Sequence, residues 1–401
     1  MKQNPWKKDF PQLNNQLHYF DSAATSLKPV SVIEQVVFYN EKLSSNINRG
    51  MYYESQKATE LYFEARETVA RFINADFNEV VFTRGTTSSL NLVARSYGLN
   101  HLSEGDEILT SELEHHSSIL PWQYVANKTG AKIKYLPLTN QGKVTLEAFE
   151  AAINDRTKVV VVNHVSNVMG YISPLEEMVA IAHGYGALVV VDGAQAIQHM
   201  KVDMKTLDAD FYAFSGHKML GPTGIGVLYG KSHLLEAMEP IEYGGDMALD
   251  VMKQQFTWKE SPTKFEAGTM PIASAIGLKA AIEYLQKADF DKIYDYCKDL
   301  YDYLMVKLKD IDGIELYNEN SDTFIFTFNL KNVPSHDAIS FFSEKHIALR
   351  AGQHCAKLIH DFLGIHSSLR GTIYLYNTYE EVDLFIETLK EAIDYFKKLG
   401  F

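Results

Sequence analysis

From about residue 79 to residue 230 the sequence repeats one pattern: a short run of β-branched or aromatic residues, a polar loop, then a helix-like segment. The runs occupy residues 80–83, 107–110, 132–136, 159–163, 187–191, 210–214 and 226–229. Several are apolar throughout. A strand with one face in water alternates apolar and polar residues, whereas a strand covered by helices on both faces has no reason to. The pattern therefore predicts an α/β fold, with a mostly parallel seven-stranded sheet in a large domain.

After Pro271 the texture changes to long amphipathic segments at 274–288 and 291–309, the second marked by Tyr294, Tyr301, Leu304 and Leu308. A strand at 323–329, a helix at 335–345, a strand at 371–376 and a closing helix at 380–399 complete a smaller α+β unit. The expected division is a large domain over 20–285 and a small one made of 1–19 and 286–401. A chain of 401 residues that is 46% hydrophobic can fill two such cores. Its formal net charge of −13 argues against nucleic acid or an anionic membrane as partner. The first fifteen residues, with Lys2, Pro5, Lys7, Lys8 and Pro11, lack the apolar core of a signal peptide, and no later apolar run is long enough to span a bilayer. A cytoplasmic protein is expected. The only cysteines, Cys297 and Cys355, form no Cys-x-x-Cys pair, so any special thiol chemistry rests on one residue.

Ligands of open α/β sheets sit beyond the carboxyl ends of the strands, which makes the polar residues after each run the candidate site. Gly85-Thr86-Thr87-Ser88 follows the first run, small and hydroxylated at a helix start that suits a phosphate; a plain N-cap explains the same residues. Glu114-His115-His116 follows the second run and His164-Val165-Ser166-Asn167 the fourth. Adjacent histidines cannot both face one metal from a helix and no third ligand is suitably spaced, so no metal is expected, while a ring stacked on a flat cofactor fits. Asp192-Gly193-Ala194-Gln195 follows the fifth run, and an acid at the tip of an apolar strand is costly unless a cation pairs with it. A protonated pyridine nitrogen fills that part. Ser215-Gly216-His217-Lys218 follows the sixth and places a lysine as a carbonyl-bonding residue more than a solvated one. Gly230-Lys231-Ser232 ends like a phosphate-binding P-loop, but Ile225 stands where that pattern needs glycine. The signatures of nicotinamide binding, serine hydrolysis and zinc proteolysis are missing.

Read in order, these motifs resemble the group II, SUF-type cysteine desulfurases, fold-type I pyridoxal 5′-phosphate (PLP) enzymes of the class V aminotransferase family. The resemblance runs over nearly the whole chain, through Asp21-Ser22-Ala23-Ala24-Thr25, Arg84-Gly85-Thr86-Thr87, the His115, Asn167, Asp192 and Lys218 motifs above, Phe265-Glu266-Ala267-Gly268-Thr269, Arg350-Ala351-Gly352-Gln353-His354-Cys355-Ala356 and Tyr374-Leu375-Tyr376-Asn377-Thr378. It implies that Lys218 bonds the cofactor and moves the substrate α-proton, that Asp192 pairs with the pyridinium, and that Gln195 bonds the ring's phenolic oxygen. His115 stacks on the ring and takes part in catalysis. Thr86, Thr87, Ser215 and His217 hold the phosphate, while Asn167 sits near substrate and ring oxygen. Arg370, with Arg350, binds the substrate carboxylate, and Cys355 attacks the substrate sulfur. Family members are homodimers in which the threonine matching Thr269 reaches the partner's phosphate. The chain departs from the usual family pattern at Ile47-Asn48-Arg49-Gly50-Met51-Tyr52, at Leu358, at Ser367-Ser368-Leu369 and at Gly371-Thr372.

The reading that follows is a desulfurase converting L-cysteine to L-alanine, with a persulfide on Cys355 passed to a SUF-type protein acceptor for iron–sulfur cluster assembly. His354 and Arg350 near Cys355 make a setting that favours thiolate, whereas Cys297, on its amphipathic helix, reads as buried and inert. Two rivals stand beside this reading: a selenocysteine lyase or another PLP-dependent sulfur-amino-acid lyase or epimerase, and a non-enzymatic scaffold on the same fold.

Overall fold

The computed structural model describes residues 4–401, so residues 1–3 of the expected small domain lie outside it. Its main sheet has seven strands: β1 (Val80–Thr83), β2 (Glu107–Ser111), β3 (Lys132–Leu136), β4 (Thr157–Asn163), β5 (Leu188–Asp192), β6 (Phe211–Ser215) and β7 (Gly226–Gly230). Their order across the sheet is β1-β7-β6-β5-β4-β2-β3. Only β7 runs against its neighbours, pairing antiparallel with both β1 and β6. All seven runs read from the sequence are strands, with ends that differ by a residue or two.

The uniformly apolar runs have the expected cause. Val160 and Val162 enter one hydrophobic core while Val159 and Val161 enter another on the opposite face, and all four are almost wholly buried. Side chains alternate across a strand, so two covered faces demand apolar residues at every position. Helices Tyr53–Phe72 and Ile272–Ala288 pack together on one side of the sheet, and Thr86–Val93 and His116–Thr129 pack together on the other.

The edge strand β1 is closed by a buried ion pair. Arg66 bonds both carboxylate oxygens of Glu266 at 2.7 Å. The same two side chains take up backbone groups of β1 that face away from β7: Arg66 Nη1 donates to Val80 O at 2.6 Å, and Phe82 N–H donates to Glu266 Oε1 at 2.7 Å. At the opposite edge, β3 presents Lys132 and Lys134 to solvent.

A second sheet has four antiparallel strands, β8 (Ile314–Leu316), β9 (Ile325–Leu330), β10 (Arg350–Gly352) and β11 (Ser368–Thr372), in the order β8-β9-β11-β10. Helix Tyr379–Lys398 closes the chain, opened by a capping box between Thr378 and Glu381. The N-terminal segment joins this half, since His18–Tyr19 pairs in parallel with Ile347–Ala348. One expectation fails: the strand read at 371–376 lies instead at Ser368–Thr372. The apolar Ile373, Tyr374, Leu375 and Tyr376 are fully buried, but as a turn whose Tyr374 N–H bonds the Asn377 side chain at 2.8 Å instead of a ladder partner. Burial, not strand pairing, made that run apolar.

Candidate active site

The carboxyl ends of β1, β4, β5 and β6 open into a cavity of about 220 Å³. It is lined by Thr86, Thr87, His115, Asn167, Asp192, Gln195, Ser215, His217, Lys218, Arg350, Cys355 and Arg370, together with Ala23, Asn163 and His354. Thr269 is the one expected residue set apart. It lines a neighbouring cavity with Arg84 and Phe265, and its hydroxyl meets Asn46 Nδ2 at 3.4 Å.

At one end, helix Thr86–Val93 points its N-terminus into the cavity. Ser215 Oγ accepts the Thr86 N–H at 2.8 Å and lies 2.7 Å from the Thr86 hydroxyl, while the Thr87 hydroxyl meets Ser117 Oγ at 2.7 Å. Strand β7 approaches this turn so closely that a Cβ on Gly226 would come 2.4 Å from Gly85 Cα. Free helical N–H groups beside four hydroxyls suit a phosphate.

At the back wall Asp192 is 6% exposed; its carboxylate accepts from Ala194 N–H at 3.0 Å and Ser118 Oγ at 3.1 Å. Ser118 carried no sequence signal beyond following His115 and His116 at a helix start. Burial pulls the Lys218 ammonium down to about 8, against the charge of Asp192 and with those of Arg370 and Arg350. That lowering enlarges the neutral fraction that a carbonyl-bonding amine requires. Burial likewise pulls His115 down to about 4, so its ring is neutral, and its Nδ1 caps the following helix by accepting Ser117 N–H at 3.1 Å. Gln195 donates to Ala23 O at 2.7 Å and accepts from Gln198 at 2.9 Å, which fixes its amide plane.

Beneath this wall lies Glu114, 1% exposed, accepting from Ser111 Oγ at 2.7 Å through one oxygen. Burial, opposed by the Ser111 hydroxyl and reinforced by the charge of Asp192, pushes its carboxyl up to about 8.

The front wall comes from the second sheet. Arg350 on β10 and Arg370 on β11 are directly opposite each other, a like-charged cross-strand pair that is unfavourable unless an anion joins it. Arg370 is 2% exposed; it donates to Asn167 O at 2.8 Å and reaches Asp21 Oδ1 only at 3.5 Å, while its Nε is buried without a partner among the described residues. Burial pulls the guanidinium down to about 10, with Asp21 opposing. A planar carboxylate in the cavity would complete it. Asp21, 349 residues away, is a partner that sequence spacing could not reveal.

Cys355 is exposed, whereas Cys297 is buried and its thiol is pushed up by that burial. Cys355 lines both the inner cavity and an open groove outside it, shared with Arg95, Leu120 and Tyr124. His354 and Cys355 both have left-handed backbones, with φ of 50° and 55°. Each costs about 1–2 kcal/mol for an L-residue, so the surroundings must hold the loop. His354 does not add the positive charge its position suggested: burial, followed by the charge of Arg370, keeps it neutral. Among the described residues no group of three or more His, Cys, Asp or Glu is placed to hold a metal ion.

The family model for class-V aminotransferases matches residues 18–385, and the chain belongs to that family. Within it, the chain is 48% identical over 397 residues to the probable cysteine desulfurases of Staphylococcus epidermidis (strain ATCC 12228) and Staphylococcus aureus (strain COL), a span of 97% of this chain and 96% of each relative. It is similar to the crystal structure of the cysteine desulfurase CsdA from Escherichia coli, with 39% identity, a TM-score of 0.92, and 97% of this chain and 98% of that one covered. The apo structure of the cysteine desulfurase from Thermococcus onnurineus NA1 is similar at 38% identity and a TM-score of 0.94, covering 98% and 99%.

Proposed function

We propose that the cavity binds PLP and L-cysteine and that the chain is a cysteine desulfurase, with Cys355 as its sulfur-accepting nucleophile. The observation that carries this reading is the place of Cys355 at the throat, lining the inner cavity with Lys218 and Asp192 and also the groove outside. A thiol there can take sulfur from inside and present it outside.

The donor set fits the cofactor: a lysine with a lowered pKa, a buried carboxylate, a neutral imidazole and a hydroxylated helix N-terminus line one cavity of about 220 Å³. When bound, PLP supplies an electron sink for the pair left at the substrate Cα. Lys218 Nζ would hold the cofactor through its carbonyl carbon and would move the substrate α-proton. Asp192 would keep the ring nitrogen protonated, Gln195 and Asn167 would bond its phenolic side, and Thr86, Thr87, Ser215 and His217 would hold the phosphate. His115 would stack on the ring. Arg370 and Arg350 take the substrate carboxylate. Cys355 Sγ then captures the sulfur as its bond to Cβ breaks, so that thiol plus L-cysteine gives persulfide plus L-alanine with nothing left over.

The finer readings have their own supports. The outward groove suits a SUF-type protein acceptor feeding iron–sulfur cluster assembly, because it exposes Leu120 and Tyr124 beside Cys355. Thr269 lies outside this chain's cavity, in keeping with a homodimer in which it serves the second copy's phosphate. An exposed free thiol favours the reducing cytoplasm. A large unit over 20–285 then carries Lys218 and Asp192, and a small one of 1–19 and 286–401 carries Cys355 and Arg370.

The test is the product spectrum of the cofactor-loaded protein given L-cysteine and a reductant. L-alanine in step with sulfide, and a persulfide on Cys355, are expected. Pyruvate and ammonia would install a lyase in its place, and a chain that binds no chromophore, or whose Lys218→Ala variant keeps the visible band, would end the assignment of Lys218.

A further inference from the structure

Between the cysteine loop and the strand bearing Arg370 lies a chain of three buried polar side chains. Ser368 opens β11 opposite Gly352, the residue from which the loop departs, and it stands two residues before Arg370 on the same strand. Its hydroxyl lies 3.0 Å from His354 Nε2 and 3.0 Å from His360 Nε2. The exposures of Ser368, His360 and His354 are 0%, 0% and 5%.

Hydrogen-bond logic fixes every proton in this chain. His360 Nδ1 sits 3.0 Å from Ala356 O, and a carbonyl only accepts, so the proton of this neutral ring is on Nδ1. His360 Nε2 is then a lone pair that accepts the Ser368 O–H. The Ser368 oxygen, its proton so committed, accepts from His354, which must carry its proton on Nε2. His354 Nδ1 is accordingly the atom left without a partner among the described residues. This arrangement gives Ser368 both of its ring contacts and His360 its backbone anchor.

The chain ends on both flanks of Cys355: His354 precedes it, and Ala356, whose carbonyl anchors His360, follows it. A second path from Arg370 arrives at the same place, because Arg370 donates to Asn167 O at 2.8 Å and the Asn167 side chain donates to His354 O at 2.8 Å. From the other side His116 N–H bonds Cys355 O at 2.7 Å, and the Lys357 N–H bonds His116 Nε2 at 3.1 Å.

We propose that Ser368 and His360 are positioning residues: through His354 they register the left-handed loop of Cys355 against the strand of Arg370, and so set the distance between the sulfur acceptor and the bound substrate carboxylate. The inference deepens the desulfurase reading and rests on it for the identity of the substrate. It explains why a serine and a second histidine occupy dry positions where apolar residues would pack more cheaply.

The test measures the cofactor-loaded enzyme in a single turnover with L-cysteine. Ser368→Ala removes one oxygen and little volume. Its rate of persulfide formation on Cys355 is expected to fall roughly ten- to a hundredfold, the scale of an ångström misplacement. The concentration dependence of the spectral change on adding L-cysteine should stay within about twofold, since Arg370 and the cofactor site are untouched. His360→Leu should behave as Ser368→Ala does, while His360→Gln, which keeps an acceptor near the Nε2 position, should recover most of the rate. Iodoacetamide labelling of Cys355 in the resting enzyme gives a readout free of turnover, and Ser368→Ala should label several-fold faster as its loop loosens. Parental persulfide rates in Ser368→Ala would overturn the proposal; so would an equal loss of L-cysteine binding, which would make Ser368 structural only. If the parental enzyme formed no persulfide at all, the desulfurase reading would fall, and the labelling comparison alone would still decide whether Ser368 and His360 order the loop.

Discussion

Replacing Glu114 with glutamine asks whether the floor beneath Asp192 is neutral. Burial pushes the Glu114 carboxyl from its ordinary 4.5 up to about 8. Between those values the folded protein keeps a proton that the unfolded chain has given up. Stability therefore falls as pH rises through the window and levels off above the folded value, the reverse of an ion-paired carboxylate. At about 1.4 kcal/mol per pH unit the whole window, from 4.5 to about 8, is worth up to about 5 kcal/mol. Spread over the unfolding entropy of a 401-residue chain, that is roughly 6 °C in Tm. Glutamine keeps an acceptor for Ser111 Oγ and has nothing to ionise. Calorimetry of the cofactor-loaded protein and of E114Q, stepped from pH 5 to pH 9, should show nearly equal Tm values at the acid end and a variant several degrees the more stable at the alkaline end. Other titrating groups move both curves alike and cancel in the difference. Two parallel curves would show that Glu114 is ionised in the fold, and the argument from burial would be wrong.

Asp192→Ala should cost about a hundredfold or more in turnover, the usual toll of losing a preorganised electrostatic partner, and steady-state alanine production reads it. Glu266→Ala leaves Arg66 buried and unpaired and should lower stability by about 3–5 kcal/mol in urea titrations, with little effect on the visible band of whatever protein remains folded. Cys355→Ala should keep cofactor loading and the spectral response to L-cysteine while losing both persulfide and alanine, whereas Cys297→Ser in parallel should alter stability alone.

Much of this architecture was legible because burial on both faces writes itself into sequence. The valines at 159–162 announce a covered strand, and polar residues just past such strands, among them Thr86, His115, Asn167, Asp192 and Lys218, fall around the cavity because the chain must turn there. Strand β11 was illegible for the same reason inverted. Ser368, Leu369, Arg370, Gly371 and Thr372 are buried yet mostly polar, since Arg370 lines the site and Ser368 braces the loop beside it, and the apolar turn after them imitated a strand. The neutrality of Glu114 and of His354 was likewise hidden: it depends on what surrounds a side chain in three dimensions, not on its neighbours in the chain. Contacts such as Arg370 with Asp21, or Gln195 with Ala23, join residues too far apart for any local pattern to carry.

The two rims of the main sheet have a consequence for how copies of this chain meet. On β1 the outward backbone groups at Val80 and Phe82 are already taken by Arg66 and Glu266, which stand in for a neighbouring strand. On β3, Lys132 and Lys134 set positive charge along the margin, where an incoming strand would have to lie against it. Neither rim is an open template. Crowding, concentration or partial heating should therefore not zip these molecules into continuous cross-molecular sheets while the fold is intact, and association must run through side-chain surfaces that can be saturated and reversed.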